Sequence, residues 1–174
     1  MLVLMHVAPA SSADAYAQQL LDRVNEVRAS GYVCDGRAYP PSAPLAWNGR
    51  VETAARRHAD NLRQYDTFSH VGTDGSTVGK RVSESGYSWR KVGENLAVGF
   101  LEPARVVEAW LASPSHCRNV VDPAFREFGA AMEPGGFGST YRSWWVMVVA
   151  DGSTSRKTPP PSYTGWAASP HGRS

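Results

Sequence analysis

The sequence predicts an α+β fold, an α-β-α sandwich in which helices cover a small central sheet that is mostly antiparallel. Two segments with the apolar spacing of amphipathic helices lie in the N-terminal third, at 16–28 and 49–64. Two strand-like segments near the C-terminus, 128–133 and 143–151, are separated by a glycine-rich connection typical of a hairpin. Because apolar helix stripes and sheet faces must each be buried, we expect these elements to pack in layers.

The first two helices are predicted by their periodicity and by residues suited to their ends. The segment YAQQLLDRVNEVR, at 16–28, has an apolar stripe, with Asp14 as the expected N-cap and Gly31 after the last turn. After a loop rich in Pro and Gly, Asn48 is the expected N-cap of the helix at 49–64. Both helices should therefore bury one face.

The remaining elements are shorter. A short helix is predicted at 78–85, a longer one at about 103–112, and a helical segment after Pro114. The segment GENLAV, at 93–98, fits either a strand or a turn. The run at 144–149 is continuously apolar, which predicts a central strand buried on both faces.

Composition limits the classes of function. The chain has 174 residues, enough for one domain with a core, and a formal net charge of only +2. Its basic residues are scattered and form no stripe at helical spacing, which argues against nucleic-acid binding. No apolar run is long enough to span a membrane.

The two ends differ in composition from the centre. Residues 1–13 contain a short apolar run followed by A-x-A patterns, which predicts a signal-peptide remnant and a secreted or periplasmic protein. A frayed apolar terminus is the alternative, since the positive start of a signal is missing. Residues 14–151 form the predicted domain. The segment 152–174, with three consecutive prolines, is predicted to be a flexible tail.

Three titratable residues stand out as candidates for a site, His70, Glu94 and His116. Two histidines and one carboxylate match a catalytic zinc set with one open position, although residues so far apart carry little specificity. His58 lies on the apolar side of its helix, which favours a buried structural histidine. The sequence lacks H-E-x-x-H, G-x-S-x-G and paired C-x-x-C motifs.

The chain has two cysteines, Cys34 and Cys117. In an exported protein an even number favours a disulfide, and two buried free thiols are the alternative. Neighbouring helical residues point about 100° apart, so His116 is poorly placed to activate Cys117 as a nucleophile.

A series of motifs resembles a known family. The order AARRHADNL, TFSH, DGST, GKRVSESGY, GENLAVG and WLASPSHCRN resembles the bacterial branch of the CAP superfamily, the SCP/PR-1-like extracellular domains. The resemblance covers roughly residues 15 to 151 and depends most on the G-E-N and S-P-x-H pieces. It implies an α-β-α sandwich and a secreted protein.

The resemblance also implies a cleft with two histidines and two acidic residues. Three of the four positions fall on His70, Glu94 and His116, but the second acidic position falls on Ser113. Asp74 is a candidate replacement carboxylate. The resemblance implies zinc or another divalent cation as a cofactor, held by the two histidines and Glu94.

The resemblance further implies that Cys34 and Cys117 form a disulfide beside this cleft. We therefore predict a non-enzymatic binding module for a metal or small ligand, because the set is incomplete and no nucleophile is present. A zinc-assisted hydrolase and a purely structural or interaction domain are the alternatives. Predicted partners are a small ligand such as a lipid or sterol, or an extracellular protein or glycan.

Overall fold

The structure is a computed structural model that describes residues 12–152. Residues 1–11 of the predicted signal remnant and residues 153–174 of the predicted tail lie outside the described residues. The helices are α1 (Ser12–Ser30), α2 (Gly49–Gln64), α3 (Val78–Glu84), α4 (Pro103–Leu111) and α5 (Pro114–Val121). The strands are β1 (Tyr32–Cys34), β2 (Arg37–Tyr39), β3 (Ala46–Trp47), β4 (Trp89–Val98), β5 (Glu127–Pro134) and β6 (Ser143–Gly152).

The main sheet has four strands in the order β3-β5-β6-β4. Its β5–β6 and β6–β4 pairs are antiparallel and its short β3–β5 pair is parallel, which confirms the mostly antiparallel sheet. β1 and β2 form a separate antiparallel hairpin.

Strand β6 shows why the fold has three layers. Its odd-numbered residues from Trp145 to Val149 pack with α1, α4 and α5, and its even-numbered residues from Trp144 to Ala150 pack with α2 and α3. Successive side chains of a strand point to opposite faces, so one continuous apolar run serves two cores. The predicted α-β-α sandwich and the doubly buried central strand are confirmed.

Of the two N-cap residues expected from the sequence, one is confirmed and the other is wrong. Asn48 caps α2 as expected, with its Oδ1 accepting from the backbone N–H of Arg50 at 2.9 Å and of Val51 at 3.3 Å. The Asp14 N-cap of α1 is wrong, because the helix begins at Ser12. Ala13 and Ala15 are strong helix formers and extend the helix past the expected start.

A glycine sets the distance between α2 and the sheet. A Cβ at Gly129 of β5 would lie 2.1 Å from the Glu52 backbone nitrogen and 2.4 Å from the Val51 carbonyl carbon. The helix therefore rests directly on the strand, which is possible only without a side chain at this position.

Two open questions from the sequence are settled by the fold. GENLAV is part of β4, where Gly93 pairs with Val149 and Val98 with Trp144. Cys34 and Cys117 form a disulfide, with their Cα atoms 5.8 Å apart, which ties β1 to α5. Among the described helices, none has the length and apolar character needed to cross a membrane.

Candidate functional site

Glu94 lies at the centre of the candidate site. Its side chain is 2% exposed, and its Oε1 lies 2.9 Å from Nδ1 of His70. Oε2 accepts a hydrogen bond of 2.7 Å from Nη2 of Arg81. A buried carboxylate needs such partners because desolvation is costly for an unpaired charge.

The alternation of β4 decides where this carboxylate points. Glu94 pairs with Val148 and Leu96 with Val146, and these apolar residues belong to the core under α2 and α3. The next residue, Asn95, faces the opposite layer, where its Nδ2 donates to the His116 carbonyl at 3.0 Å. Glu94 and Asn95 thus point to opposite faces of β4, Glu94 toward His70 and Asn95 toward α5.

Arg81, from α3, was not identified from the sequence. It is 2% exposed and donates to the Ser76 carbonyl at 2.7 Å and to the His70 carbonyl at 3.2 Å, besides Glu94. One guanidinium therefore fixes both Glu94 and the loop that carries His70. The sequence signal for Arg81 was weak, because it consisted only of a basic residue beside the apolar positions of a short helix.

His58, from α2, is fully buried, as the sequence predicted. Its Nε2 lies 2.9 Å from the Ser69 carbonyl and 3.8 Å from Oε1 of Glu94. Burial lowers the pKa of His58, opposed by the attraction of Glu94, so the imidazole is neutral near pH 7. Because a carbonyl only accepts, Nε2 carries the proton, and Nδ1 has no hydrogen-bond partner among the described residues.

His116 lies on α5 across from His70, with the two ring centroids 6.4 Å apart. Burial is the main cause that lowers the pKa of His116, and His70 adds to it. The structure thus brings all three sequence candidates into one region. Only His70 and Glu94 are in hydrogen-bond contact.

Neither candidate for the second acidic position joins this cluster. Asp74 forms an ion pair of 2.8 Å with Arg57 and accepts from the Ser76 N–H at 2.9 Å. Hydrogen bonds from Ser76, followed by the one from Arg57, lower the pKa of Asp74. Ser113 is the N-cap residue of α5 without a side-chain cap bond, and its Oγ lies 3.5 Å from that of Ser115.

The cluster does not fit a divalent metal well. Within residues 12–152, no group of three or more His, Cys, Asp or Glu side chains is placed to hold a metal ion. Both oxygens of Glu94 are engaged, and the Arg81 guanidinium already supplies the compensating positive charge. A second cation would have to displace His70 or compete with Arg81. This geometry does not support zinc binding by His70, His116 and Glu94, which stays a prediction.

A polar cavity of about 310 Å³ adjoins the cluster on its α2 side. Its walls include Arg57, His58, Asn61, Asp74, Ser76 and Arg81. Phe68 and Val71 lie in the same loop on either side of His70 and are 49% and 53% exposed. The region thus combines buried polar groups with accessible apolar ones.

Cys117 takes no part in nucleophilic chemistry. Its sulfur is bonded to that of Cys34, so no thiolate is available. The neighbouring residues His116 and Cys117 thus have different surroundings, since His116 lies across from His70 and Cys117 is bonded to Cys34.

Comparison with known proteins agrees with this architecture. The family described as CAP, the cysteine-rich secretory protein family, matches residues 21–149. The chain therefore belongs to the CAP family, which confirms the resemblance seen in the sequence motifs.

Bacterial proteins are among its relatives. The uncharacterized protein YkwD of Bacillus subtilis is 25% identical over 119 residues, which is 68% of this chain and 43% of YkwD. An extracellular protein with an SCP domain from Bacillus anthracis has a TM-score of 0.65 at 19% identity, covering 83% of this chain and 45% of that one. An outer surface protein of Borrelia burgdorferi has a TM-score of 0.65 at 23% identity, covering 78% of this chain and 91% of that one.

The structural matches establish the shared fold. The chain spans less than half the length of the curated relatives it matches, 31% and 43% of them. What those longer proteins do is therefore not transferred to this chain.

Proposed function

We propose that this chain is an extracellular, non-enzymatic binding module, and that a cleft between His70 and His116 takes a small ligand that carries hydroxyl groups. The observation that carries this proposal is the buried Glu94, held between Nδ1 of His70 and the guanidinium of Arg81. This contact fixes the orientation and the proton position of an exposed imidazole.

The hydrogen-bonding capacity of the two histidines suggests the ligand class. Glu94 is ion-paired with Arg81, and an ionised carboxylate can only accept hydrogen bonds. Nδ1 of His70 therefore carries the proton in its contact with Oε1 of Glu94. Nε2 of His70 is then the ring nitrogen left for a ligand, and His116, whose pKa is lowered by burial, offers one donor and one acceptor when neutral. A hydroxyl group both donates and accepts, and it matches this pair.

The exposed Phe68 and Val71 add an apolar surface beside His70. A sugar ring and a sterol both combine hydroxyl groups with apolar faces. Either source would satisfy the chemistry of this cleft.

An extracellular location is supported by two independent observations. The Cys34–Cys117 disulfide is of a kind that persists in oxidising compartments. Two proteins of the same fold are described as extracellular and as an outer surface protein.

The metal-binding and hydrolase alternatives receive less support. Arg81 opposes a metal at Glu94, and the hydrogen bonds that each Glu94 oxygen makes with His70 or Arg81 disfavour this buried carboxylate as a general base. The one cysteine near the cleft is in a disulfide.

The test is a titration of ¹³C-labelled protein followed by NMR of the imidazole C–H groups of His70 and His116, and of the Val71 methyl groups, which report on binding in variants without those histidines. The probes are chitotriose, cholesterol in detergent, and Zn²⁺ alone. We expect chitotriose or cholesterol to shift the signals of His70 and His116, and the His70→Ala/His116→Ala variant to bind about tenfold more weakly or not at all. The Arg23→Gln variant, altered on the exposed face of α1, should bind normally.

Other outcomes would contradict the proposal. Unchanged histidine signals with both organic probes would reject a hydroxyl-binding cleft. Stoichiometric Zn²⁺ binding that disappears in the double variant would establish the metal alternative. Peptide or ester hydrolysis with added zinc, abolished by the same variant, would establish the enzyme.

A further inference from the structure

A second cavity has a lining that includes none of His70, Glu94 and His116. It has a volume of about 650 Å³ and lies between the β1–β2 hairpin and α5. Its walls include Arg37, Tyr39, Lys91, Ser115, Arg118 and Asp122. Its size is within the range of small-molecule sites, about 300–1,000 Å³.

The charge of this cavity is unbalanced. Its lining contains three cationic side chains and one carboxylate, and that carboxylate, Asp122, is already paired with Lys91. Lys91 is further occupied by the ring of Phe125, 4.8 Å from its Nζ. Among the described residues, Arg37 and Arg118 have no carboxylate in ion-pair contact. Two arginines of the lining are thus without a carboxylate to compensate their charge.

The disulfide connects the two backbone segments that carry the arginines. Cys34 is the cross-strand partner of Arg37 in the hairpin, and Cys117 directly precedes Arg118 on α5. The bond between the two cysteines therefore links the supports of both guanidinium groups.

The hairpin itself is firmly shaped. Asp35 and Gly36 form a tight turn with φ values of 50° and 74°, as expected for a two-residue loop between antiparallel strands. The guanidinium carbon of Arg37 lies 5.1 Å from the ring centroid of Tyr39, and this stacking restricts where Arg37 points. A guanidinium restricted in this way loses less conformational entropy when it binds a ligand.

We propose that this cavity binds a phosphate group, with Arg37 and Arg118 as its ligands. The planar guanidinium group donates two parallel hydrogen bonds and suits phosphate better than a point charge does. The cavity is larger than a phosphate ion, and the ring of Tyr39 provides a wall for an organic substituent. The phosphate ester of a small molecule and free phosphate share the chemistry required here.

The test compares phosphate binding by charge-matched variants of the full chain. Isothermal titration at constant ionic strength uses inorganic phosphate, glycerol 3-phosphate and, as a control ligand, glycerol. We expect saturable 1:1 binding of a phosphate probe to the wild type. The Arg37→Gln/Arg118→Gln variant should bind at least about tenfold more weakly, since it loses both charge-assisted contacts.

The control variant is Arg23→Gln/Arg105→Gln, which removes the same net charge from exposed arginines that are already paired with Glu26 and Glu108. It should bind like the wild type. Equal weakening in both variants, no saturable phosphate binding by the wild type, or equal binding of glycerol would each overturn the proposal. Circular dichroism confirms that every variant is folded. Tighter binding of glycerol 3-phosphate supports an ester ligand, and tighter binding of inorganic phosphate supports the free ion.

Discussion

At the scale of single residues, the Arg81–Glu94 pair determines the character of the site. Both side chains are nearly inaccessible, so each depends on the other for compensation of its charge. The pair also holds His70 from two directions, through its imidazole and through its backbone carbonyl. The same contacts that orient the histidine occupy the carboxylate that a metal would need.

We predict that Arg81→Met lowers the free energy of unfolding by about 3–5 kcal/mol, because it leaves the Glu94 carboxylate buried without its cation. The measurement is urea denaturation at pH 7. The double variant Arg81→Met/Glu94→Gln should be less destabilised than Arg81→Met alone, since it removes the buried charge.

The exposed Arg105–Glu108 pair on α4 provides the comparison. Arg105→Met should change the free energy of unfolding by less than about 1 kcal/mol. A loss as small as this in Arg81→Met would mean that Glu94 does not depend on the guanidinium.

At the scale of elements, the close packing of α2 on β5 positions His58 and the start of the loop that carries His70. His58 lies on the buried face of α2, the helix that rests directly on the sheet at Gly129, and its Nε2 lies 3.8 Å from Oε1 of Glu94. A methyl group at Gly129 would meet backbone atoms of α2, which cannot rotate away as a side chain can.

We predict that Gly129→Ala lowers the free energy of unfolding by at least about 2 kcal/mol, because either the helix or the strand must move to relieve the overlap. The thermal midpoint, measured by circular dichroism, should fall accordingly. In the same experiment Gly49→Ala should be neutral or slightly stabilising, since no atom lies within 4 Å of its added Cβ. Equal midpoints for the two variants would contradict the close contact.

At the scale of the whole molecule, two cores share one sheet and the disulfide adds a long-range connection. The core on the β6 odd-numbered face contains both cysteines, so the bridge is part of the packing under α1, α4 and α5. It also joins the hairpin to the helix that carries His116, and so it links the walls of the two candidate sites.

We predict that removing the disulfide lowers the free energy of unfolding by about 4 kcal/mol. The reason is that the bridge closes a loop with a sequence separation of 83 residues and restricts the unfolded chain. Urea denaturation of the oxidised and the reduced protein measures the difference. The Cys34→Ser/Cys117→Ser variant serves as the control, because reductant should not change its stability. A difference below about 1 kcal/mol between the oxidised and reduced wild type would contradict the prediction.

Much of the architecture could be predicted because it is encoded locally. The helical spacing of α2, its Asn48 cap and the apolar run of β6 each depend on neighbours within a few residues. β4 could not be assigned in the same way, because Gly93, Glu94 and Asn95 are poor strand formers. Its strand conformation comes from pairing with β6, a contact between distant parts of the chain.

The candidate site, too, was predictable from the sequence only in part. The sequence by itself determined the layered fold, the motifs that place the chain in the CAP family, and His70, Glu94 and His116 as residues of interest. Only the tertiary structure decided that Arg81 neutralises Glu94, that Asp74 turns away to Arg57, and that His116 stands apart from the His70–Glu94 contact. The physical reason is that local periodicity specifies which face of an element is buried, whereas the partners of a buried charge depend on how separate elements pack.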